Sequence, residues 1–175
     1  FLMDYKFFNF PKSLTQEDYE LSRKKLVNLF CQSEDLRGIF EYGSTHNFGI
    51  SDLDIIIVLK NKISKYASSF FSKNNLSEET LITLDYASLI ILPESKFDQI
   101  LIWDDLKLNQ IYGKRIEFKI FNSLELKIAR IIDWLPERII RIEECLKSRE
   151  INVRKALGLL KSSCYTLKNL RKDFN

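Results

Sequence analysis

The segment Asp-Leu-Asp-Ile-Ile-Ile-Val-Leu, residues 52–59, limits the fold of this chain more than any other stretch. Its last five residues are isoleucine, valine and leucine, a composition that favours a β-strand and leaves neither face of that strand polar. Such a strand has to be covered on both faces, which is typical of a sheet flanked by helices. We therefore expect an α+β fold in which a mixed sheet is flanked by helices.

The surrounding sequence carries signals for further helices and strands. Thr15 followed by Asp18 predicts the start of a helix that runs to about Phe30. Residues 37–42 predict a short strand that ends at Gly43. Other segments are predicted from composition and spacing: an irregular stretch at 1–12, a helix at 63–73, a strand or two joined strands at 80–92, a helix from 94 to about 103 and a hairpin at 107–121.

The hydrophobic period changes at Ser123, because apolar residues then recur at steps of three and four. This spacing predicts helices, and Pro136 predicts a kink in the first of them or the start of another. The chain is therefore expected to consist of an α/β domain over residues 1–122 and a C-terminal helical extension over residues 123–175.

Composition and charge exclude several classes of protein. Hydrophobic residues make up 45% and charged residues 29%, which allows a sizeable core and argues against disorder. The three cysteines lack Cys-x-x-Cys spacing, so they suggest neither a disulfide framework nor a zinc site. No apolar run approaches the roughly 18 residues of a membrane span and no signal-peptide layout is present, so we expect no membrane partner and a cytoplasmic location.

Two carboxylates stand at the start of the central strand. Asp52 and Asp54 are two residues apart, so on a strand they project from the same face. Like charges this close to an apolar core are unfavourable unless a cation binds between them, and hard oxygen ligands suit Mg²⁺. An isolated Asp-x-Asp is also a common polar start to a surface strand. The residues before it are therefore needed to distinguish a cation site from a polar strand end.

The stretch before this pair, residues 43–51, is the most turn-rich in the chain. Gly43 lets the backbone approach a ligand closely. Ser44 is expected at or near the start of a short helix, where backbone N–H groups and its hydroxyl could hold a phosphate. Phosphate donors and metal-binding carboxylates would then converge from two adjacent strands, which suits a nucleoside triphosphate with bridging Mg²⁺.

The Tyr-Gly-Ser motif at residues 42–44, a seven-residue spacer and the Asp-Leu-Asp motif at residues 52–54 resemble the nucleotidyltransferase superfamily that includes DNA polymerase beta. The resemblance is strongest over these motifs and extends over residues 14–92 through the order of elements. The spacer is shorter than usual in the family, which suggests a trimmed loop over the triphosphate. The resemblance implies a nucleotidyltransferase-like fold that binds an NTP and two Mg²⁺ ions.

The resemblance also assigns roles in a two-metal phosphoryl transfer. The two aspartates at positions 52 and 54 would bind both ions, while Gly43, Ser44 and Ser51 would contact the substrate. A third carboxylate on a later strand would complete the shell of one ion and help to deprotonate the attacking hydroxyl. Asp85 is expected to be this catalytic and metal-binding residue, with Glu117 as the competitor.

Several functional questions stay open at this stage. The acceptor hydroxyl is expected on a small molecule or a protein rather than an RNA end, because the chain lacks an RNA-binding tail. A non-catalytic nucleotide-binding or protein-interaction module of the same fold is the alternative, favoured if the third carboxylate is missing. The C-terminal helices could also form a homo-oligomer or bind a protein partner, which exposed apolar stripes on residues 124–146 would favour.

Overall fold

A computed structural model describes residues 4–43, 45–64, 67–84, 89–100, 108–117 and 124–173. The chain forms two compact units, one over residues 14–122 and one that combines residues 1–13 with residues 123–175. The helices and strands, in chain order, are β1 (Lys6–Phe8), α1 (Gln16–Phe30), β2 (Leu36–Tyr42), β3 (Asp54–Leu59), α2 (Ala67–Phe70), α3 (Glu78–Leu84), β4 (Ile90–Pro93), α4 (Phe97–Ile100), β5 (Leu108–Gly113), α5 (Leu124–Lys147), β6 (Glu150–Asn152) and α6 (Val153–Asp173).

The unit over residues 14–122 contains a four-stranded mixed sheet in the order β4-β3-β2-β5. β3 runs antiparallel to β2 with Asp54 opposite Tyr42, and β2 runs antiparallel to β5 with Tyr42 opposite Leu108. β4 runs parallel to β3, with Ile90 beside Ile56. The α+β class and the mixed sheet expected from the sequence are therefore confirmed.

Both faces of β3 are covered, as its unbroken apolar sequence predicts. Side chains at alternate positions project to opposite faces of the sheet, and residues 55–58 are all fully buried. One face packs with helices α1 and α3, through Tyr19, Leu26, Leu84, Ile55 and Ile57. The other face packs with the chain after β4 and after β5, through Phe97, Ile116, Phe40, Ile56 and Val58.

Helix α1 starts as its sequence predicts. The Thr15 hydroxyl accepts a hydrogen bond from the Asp18 N–H, and the Asp18 carboxylate accepts one from the Thr15 N–H at 2.7 Å. That backbone N–H, together with the Thr15 hydroxyl, holds the pKa of Asp18 below its usual value. The reciprocal bonds satisfy donors that the first turn of a helix leaves open.

The strand predicted from residue 80 is wrong over residues 80–84, which form the end of α3. Thr80, Thr83 and Leu84 are buried, and this spacing of three and four is that of a helix face. Ser77 begins the helix, because its carbonyl accepts the N–H of Leu81 at 2.9 Å. The strand itself is limited to β4, and residues 85–88 lie outside the described residues.

The remaining predicted segments of this unit contain 3-10 turns or lie partly outside the described residues. The helix predicted at 63–73 is described as α2 with a 3-10 turn at Lys73–Asn75, and residues 65–66 are not described. The helix predicted from 94 to about 103 begins with a 3-10 turn at Glu94–Lys96 followed by α4, and residues 101–103 lie outside the described residues. The predicted hairpin has its first strand, β5, but residues 115–117 are not in a strand. Its end, residues 118–121, lies outside the described residues.

The second unit joins the N-terminal residues to the C-terminal helices. β1 pairs in parallel with β6, with Lys6 beside Glu150, so the stretch expected to be irregular contains a strand. Residues 1–13, placed by sequence with the α/β part, belong to the unit of the helices. α5 continues through Pro136, and α5 packs on α6. Among the helices of the described residues, none has both the length and the apolar character needed to cross a bilayer.

Candidate functional site

Asp52 and Asp54 lie where the chain enters the central strand. Asp54 is the first residue of β3, and both aspartates are partly buried. Leu53 between them is fully buried in the core beneath α1 and α3. Its backbone N–H donates to the Thr83 carbonyl at 2.9 Å, which fixes this segment to the end of α3. Because side chains alternate along an extended chain, burial of Leu53 directs both carboxylates to the opposite side.

Tyr42 lies beside the aspartate pair. It is the last residue of β2 and lies opposite Asp54 in the sheet register. Burial raises the pKa of the Tyr42 hydroxyl far above its usual value, and the negative charges of Asp54 and Asp52 raise it further. The hydroxyl therefore stays protonated. Residues opposite each other in an antiparallel pair project from the same face, so Tyr42 lies on the side of the sheet end to which the two carboxylates point.

Gly43 lies directly against the pair. Its φ of 83° is in the left-handed region that favours glycine. A Cβ at this position would be 3.5 Å from the Oδ2 atom of Asp54. The backbone that leaves β2 therefore passes beside the carboxylate, which is the close approach that the Gly-Ser motif indicates.

Residues 45–51, which lie between Gly43 and the aspartates, contain a turn. The Asn47 carbonyl accepts the N–H groups of Ile50 and Ser51 at 3.1 and 2.8 Å. Gly49, with a φ of 78°, lies within this turn in the left-handed conformation that favours glycine. The short helix expected near Ser44 is therefore not formed by residues 45–51.

Tyr19 of α1 holds this loop from below. Its hydroxyl donates to the Ser51 carbonyl at 2.5 Å and accepts the Gly49 N–H at 3.2 Å. The ring is fully buried and packs against Phe48, with the ring centroids 5.5 Å apart. One helix side chain thus fixes the residue that precedes Asp52.

A second contact between α1 and the loop region lies on the face of β2 opposite the Tyr42 side chain. The Arg23 guanidinium donates to both carboxylate oxygens of Glu41 at 2.7 Å, and it also donates to the Thr45 hydroxyl at 3.1 Å. The hydrogen bonds to Glu41 raise the pKa of Arg23 above its usual value. The start of the loop is therefore bound to α1 through an ion pair, and its end is bound to α1 through Tyr19.

The other residues predicted for the site fall into two groups. Ser44 and Asp85 lie outside the described residues. Ser51 is almost completely buried, and its backbone bonds belong to the frame of the loop. Glu117 is exposed and follows Ile116, whose side chain packs at Gly38, the end of β2 away from Tyr42. Within the described part of the chain, no three acidic, histidine or cysteine side chains form a metal-binding group, so Glu117 does not join the aspartate pair.

The described residues fit a magnesium ion that is shared with a phosphate ligand. Mg²⁺ commonly binds through one or two carboxylates, with substrate phosphates and water completing its shell. Asp52 and Asp54 supply two carboxylates from one side of the sheet, and no described lysine or arginine forms an ion pair with Asp52. The requirement for two ions and for Asp85 stays a prediction.

Sequence reasoning missed the residues that hold the loop: Tyr19, Arg23, Glu41 and Thr45. Glu41 carried a detectable signal, because a carboxylate within an apolar strand requires a buried cationic partner. Nothing in the sequence around α1 identifies Arg23 as that partner. Tyr42 was noticed only as part of the motif. The register of β2 and β3 is what places it opposite Asp54.

Comparisons of the chain with protein-family models, curated proteins and solved structures found no match. The case for a function therefore depends on the motif and on the geometry of the residues around it.

Proposed function

We propose that the protein is a Mg²⁺-dependent nucleotidyltransferase with a nucleotidyltransferase-like fold. It would transfer a nucleoside monophosphate from an NTP to a hydroxyl acceptor and release pyrophosphate. The observation that supports this proposal is the arrangement of Asp52 and Asp54 on one side of the sheet end, beside a glycine whose Cβ, if it had one, would be 3.5 Å from the Oδ2 atom of Asp54. This arrangement offers carboxylates for a cation and an open backbone for a phosphate at the same point.

Each residue of the proposal has a specific task. Asp52 and Asp54 bind the cation, and Tyr42 lies opposite Asp54 in the sheet register. Gly43 and Ser44 contact the triphosphate, and Asp85 accepts the proton of the attacking hydroxyl and completes the acidic set. Bound Mg²⁺ would stabilise the charge that develops on the α-phosphate and on the leaving pyrophosphate.

The acceptor in this proposal is a hydroxyl of a small molecule or of a protein in the cytoplasm. The described loop over the aspartates is short and is held at both ends by α1, through Arg23 and Tyr19. A fixed loop of this kind supports binding of an NTP to a preformed site, which reduces the entropy lost on binding. It does not favour one nucleobase over another.

Release of pyrophosphate is the measurement that tests the reaction. The purified protein is incubated with each NTP, with or without Mg²⁺, in the presence of small hydroxyl compounds or candidate proteins. We expect Mg²⁺-dependent release that falls on the order of 100-fold or more in Asp52→Asn and Asp54→Asn, because a developing charge loses its stabilisation. Glu34→Gln is the matched control, because Glu34 is an exposed carboxylate outside this site.

Full activity in Asp52→Asn would contradict the proposal, as would the same loss in Glu34→Gln. A folded Asp52→Asn protein, judged by its circular dichroism, is required for the loss to count. If no condition gives pyrophosphate, the catalytic proposal is overturned for every acceptor tested.

The competing function, a nucleotide-binding or protein-interaction module without catalysis, differs from the proposed enzyme at the third carboxylate. Asp52 and Asp54 alone suffice to bind a Mg²⁺–triphosphate complex. Binding of a non-hydrolysable NTP analogue by calorimetry, beside turnover, separates the two functions. An enzyme keeps binding but loses turnover in Asp85→Asn, whereas a binding module shows equal affinity and no turnover in both proteins.

A further inference from the structure

Helices α5 and α6 carry large apolar side chains that the chain leaves exposed. We define the seam as Ile132, Ile139, Leu146, Leu160 and Leu167. Each of these residues has at least half of its surface exposed, with the largest fraction, 67%, at Ile132. Exposed apolar residues scattered singly are common on proteins, but a continuous patch of them marks an interaction surface.

The spacing of the seam is that of a helix–helix interface. On α5, its residues at 132, 139 and 146 are seven apart. On α6, Leu157, Leu160, Cys164 and Leu167 alternate steps of three and four, and three of these four residues are exposed. A seven-residue repeat places apolar side chains along one edge of a helix, where they pack between the side chains of a facing helix. α5 and α6 pack on each other, and the seam residues of both helices stay exposed.

We infer that the seam binds the seam of a second copy of this chain, so that two pairs of helices form a four-helix interface. The same apolar repeat on both partners provides the matching surface that a symmetric dimer requires. This inference is independent of the proposed transfer reaction, since it uses no residue of the aspartate site.

The charges of the two helices favour one arrangement. The sequence of α6 contains six lysines and arginines against one aspartate, whereas α5 contains five basic and five acidic residues. Two copies of α6 side by side would repel each other. Placing α6 of one copy beside α5 of its partner brings basic residues near acidic ones, such as Glu143, and fixes the pairing.

The size of the face suits a stable dimer. α5 has 24 residues, so at about 1.5 Å per residue it is about 36 Å long. Two helices packed at about 10 Å make a face about 20 Å wide, and hence about 700 Å² per copy. A standard specific interface buries about 800 Å² on each partner. The face therefore has the area that a second copy would cover.

The mass of the protein in solution tests the inference. We expect a dimer by sedimentation equilibrium. In Ile132→Glu and Leu160→Glu the dimer dissociation constant should rise at least about 100-fold, because each dimer would bury two unpaired carboxylates. Leu21→Glu is the matched control, since Leu21 on α1 is 48% exposed but lies in the other unit. This variant should remain a dimer.

The cysteines give a second readout at the surface itself. Cys31 and Cys164 are both exposed on the single chain, one on the α/β unit and one on α6 within the repeat. In the dimer, Cys164 should react with an alkylating reagent at least about 10-fold more slowly than Cys31, because the partner covers it. In Leu160→Glu the two rates should become similar.

Three results would overturn the inference. The first is a monomeric mass at the highest concentration that stays in solution. The second is a dimer that Ile132→Glu and Leu160→Glu leave intact, with Cys164 as reactive as Cys31. The third is loss of the helical signal in Leu160→Glu but not in Leu21→Glu, which would mean that residues of the same chain cover the seam.

Discussion

Strand β3 and the seam on α5 and α6 both consist mainly of large apolar residues, but the strand is buried and the seam is exposed. Residues 55–58 are fully buried between two layers, whereas Ile132 and Ile139 are more than half exposed. An apolar pattern in the sequence therefore does not by itself specify whether the folded chain covers that surface, or what covers it. Each unit has an exception to the usual arrangement: two carboxylates at the start of a buried strand, and isoleucines on an exposed helix face.

The largest expected effect comes from truncating a buried isoleucine of the α/β unit, and an exposed isoleucine of the other unit serves for comparison. Ile57→Ala should lower the free energy of unfolding by about 3 kcal/mol, because Ile57 is fully buried and its loss leaves a cavity in the core beneath α1. Ile139→Ala, at a residue 56% exposed, should change it by less than about 0.5 kcal/mol at protein concentrations where the monomer dominates. Urea denaturation of both variants measures the difference.

An equal loss in the two variants would remove the contrast between the units. If Ile139→Ala becomes destabilising only as the protein concentration rises, the seam gains its cover from another molecule. Loss at Ile139 that is independent of concentration would instead place that residue in the interior of the folded chain.

Local sequence signals determined where most elements begin. Thr15 and Asp18 start α1, and the apolar run after Asp54 forms a buried strand. Residues 80–84 were misjudged because a threonine and leucine-rich run fits both periods, and the start signal at Ser77 and the two glutamates after it was the deciding one. The pairing of Lys6 with Glu150 could not be predicted, because contacts so distant in sequence leave no local signal.

The candidate site likewise combines features that local sequence predicts with contacts between residues distant in sequence that it does not. The spacing of Asp52 and Asp54 and the place of Gly43 were predicted from strand geometry and glycine conformation. The buried ion pair between Arg23 and Glu41 was not, since it depends on which face of α1 meets β2. The sequence therefore predicts the aspartate pair and its glycine, while the packing of α1 determines which residues hold the loop beside them.

The two units also differ in the burial of their ion pairs, and a smaller effect is expected from removing one of these pairs. The Arg23–Glu41 pair is mostly buried, at 22% and 12% side-chain exposure, whereas Lys6–Glu150 in the other unit is exposed at 74% and 60%. Arg23→Ala should cost about 2 kcal/mol of unfolding free energy, because Glu41 is left charged without its partner. Lys6→Ala should cost less than about 0.5 kcal/mol.

Denaturation of these two variants, and of the double variant Arg23→Ala with Glu41→Gln, tests the cause. The glutamine should recover part of the loss, because it removes the unpaired charge and keeps the shape of the side chain. If the double variant is less stable than Arg23→Ala, packing of the Arg23 side chain and not its charge holds the loop.

The last pair of variants, at two glycines, is expected to change stability by about 1 kcal/mol or less, with opposite signs in the two units. Gly43, with a φ of 83°, should lose about 1 kcal/mol of stability in Gly43→Ala, because a side chain disfavours the left-handed conformation. Gly158, inside α6, has no atom within 4 Å of the Cβ it would gain. Gly158→Ala should raise stability by about 0.5–1 kcal/mol, because alanine is the better helix former. Thermal unfolding of both variants measures the signs. A stabilised Gly43→Ala would mean that this turn has no need of glycine, and the close approach of its backbone to Asp54 would then lose its conformational basis.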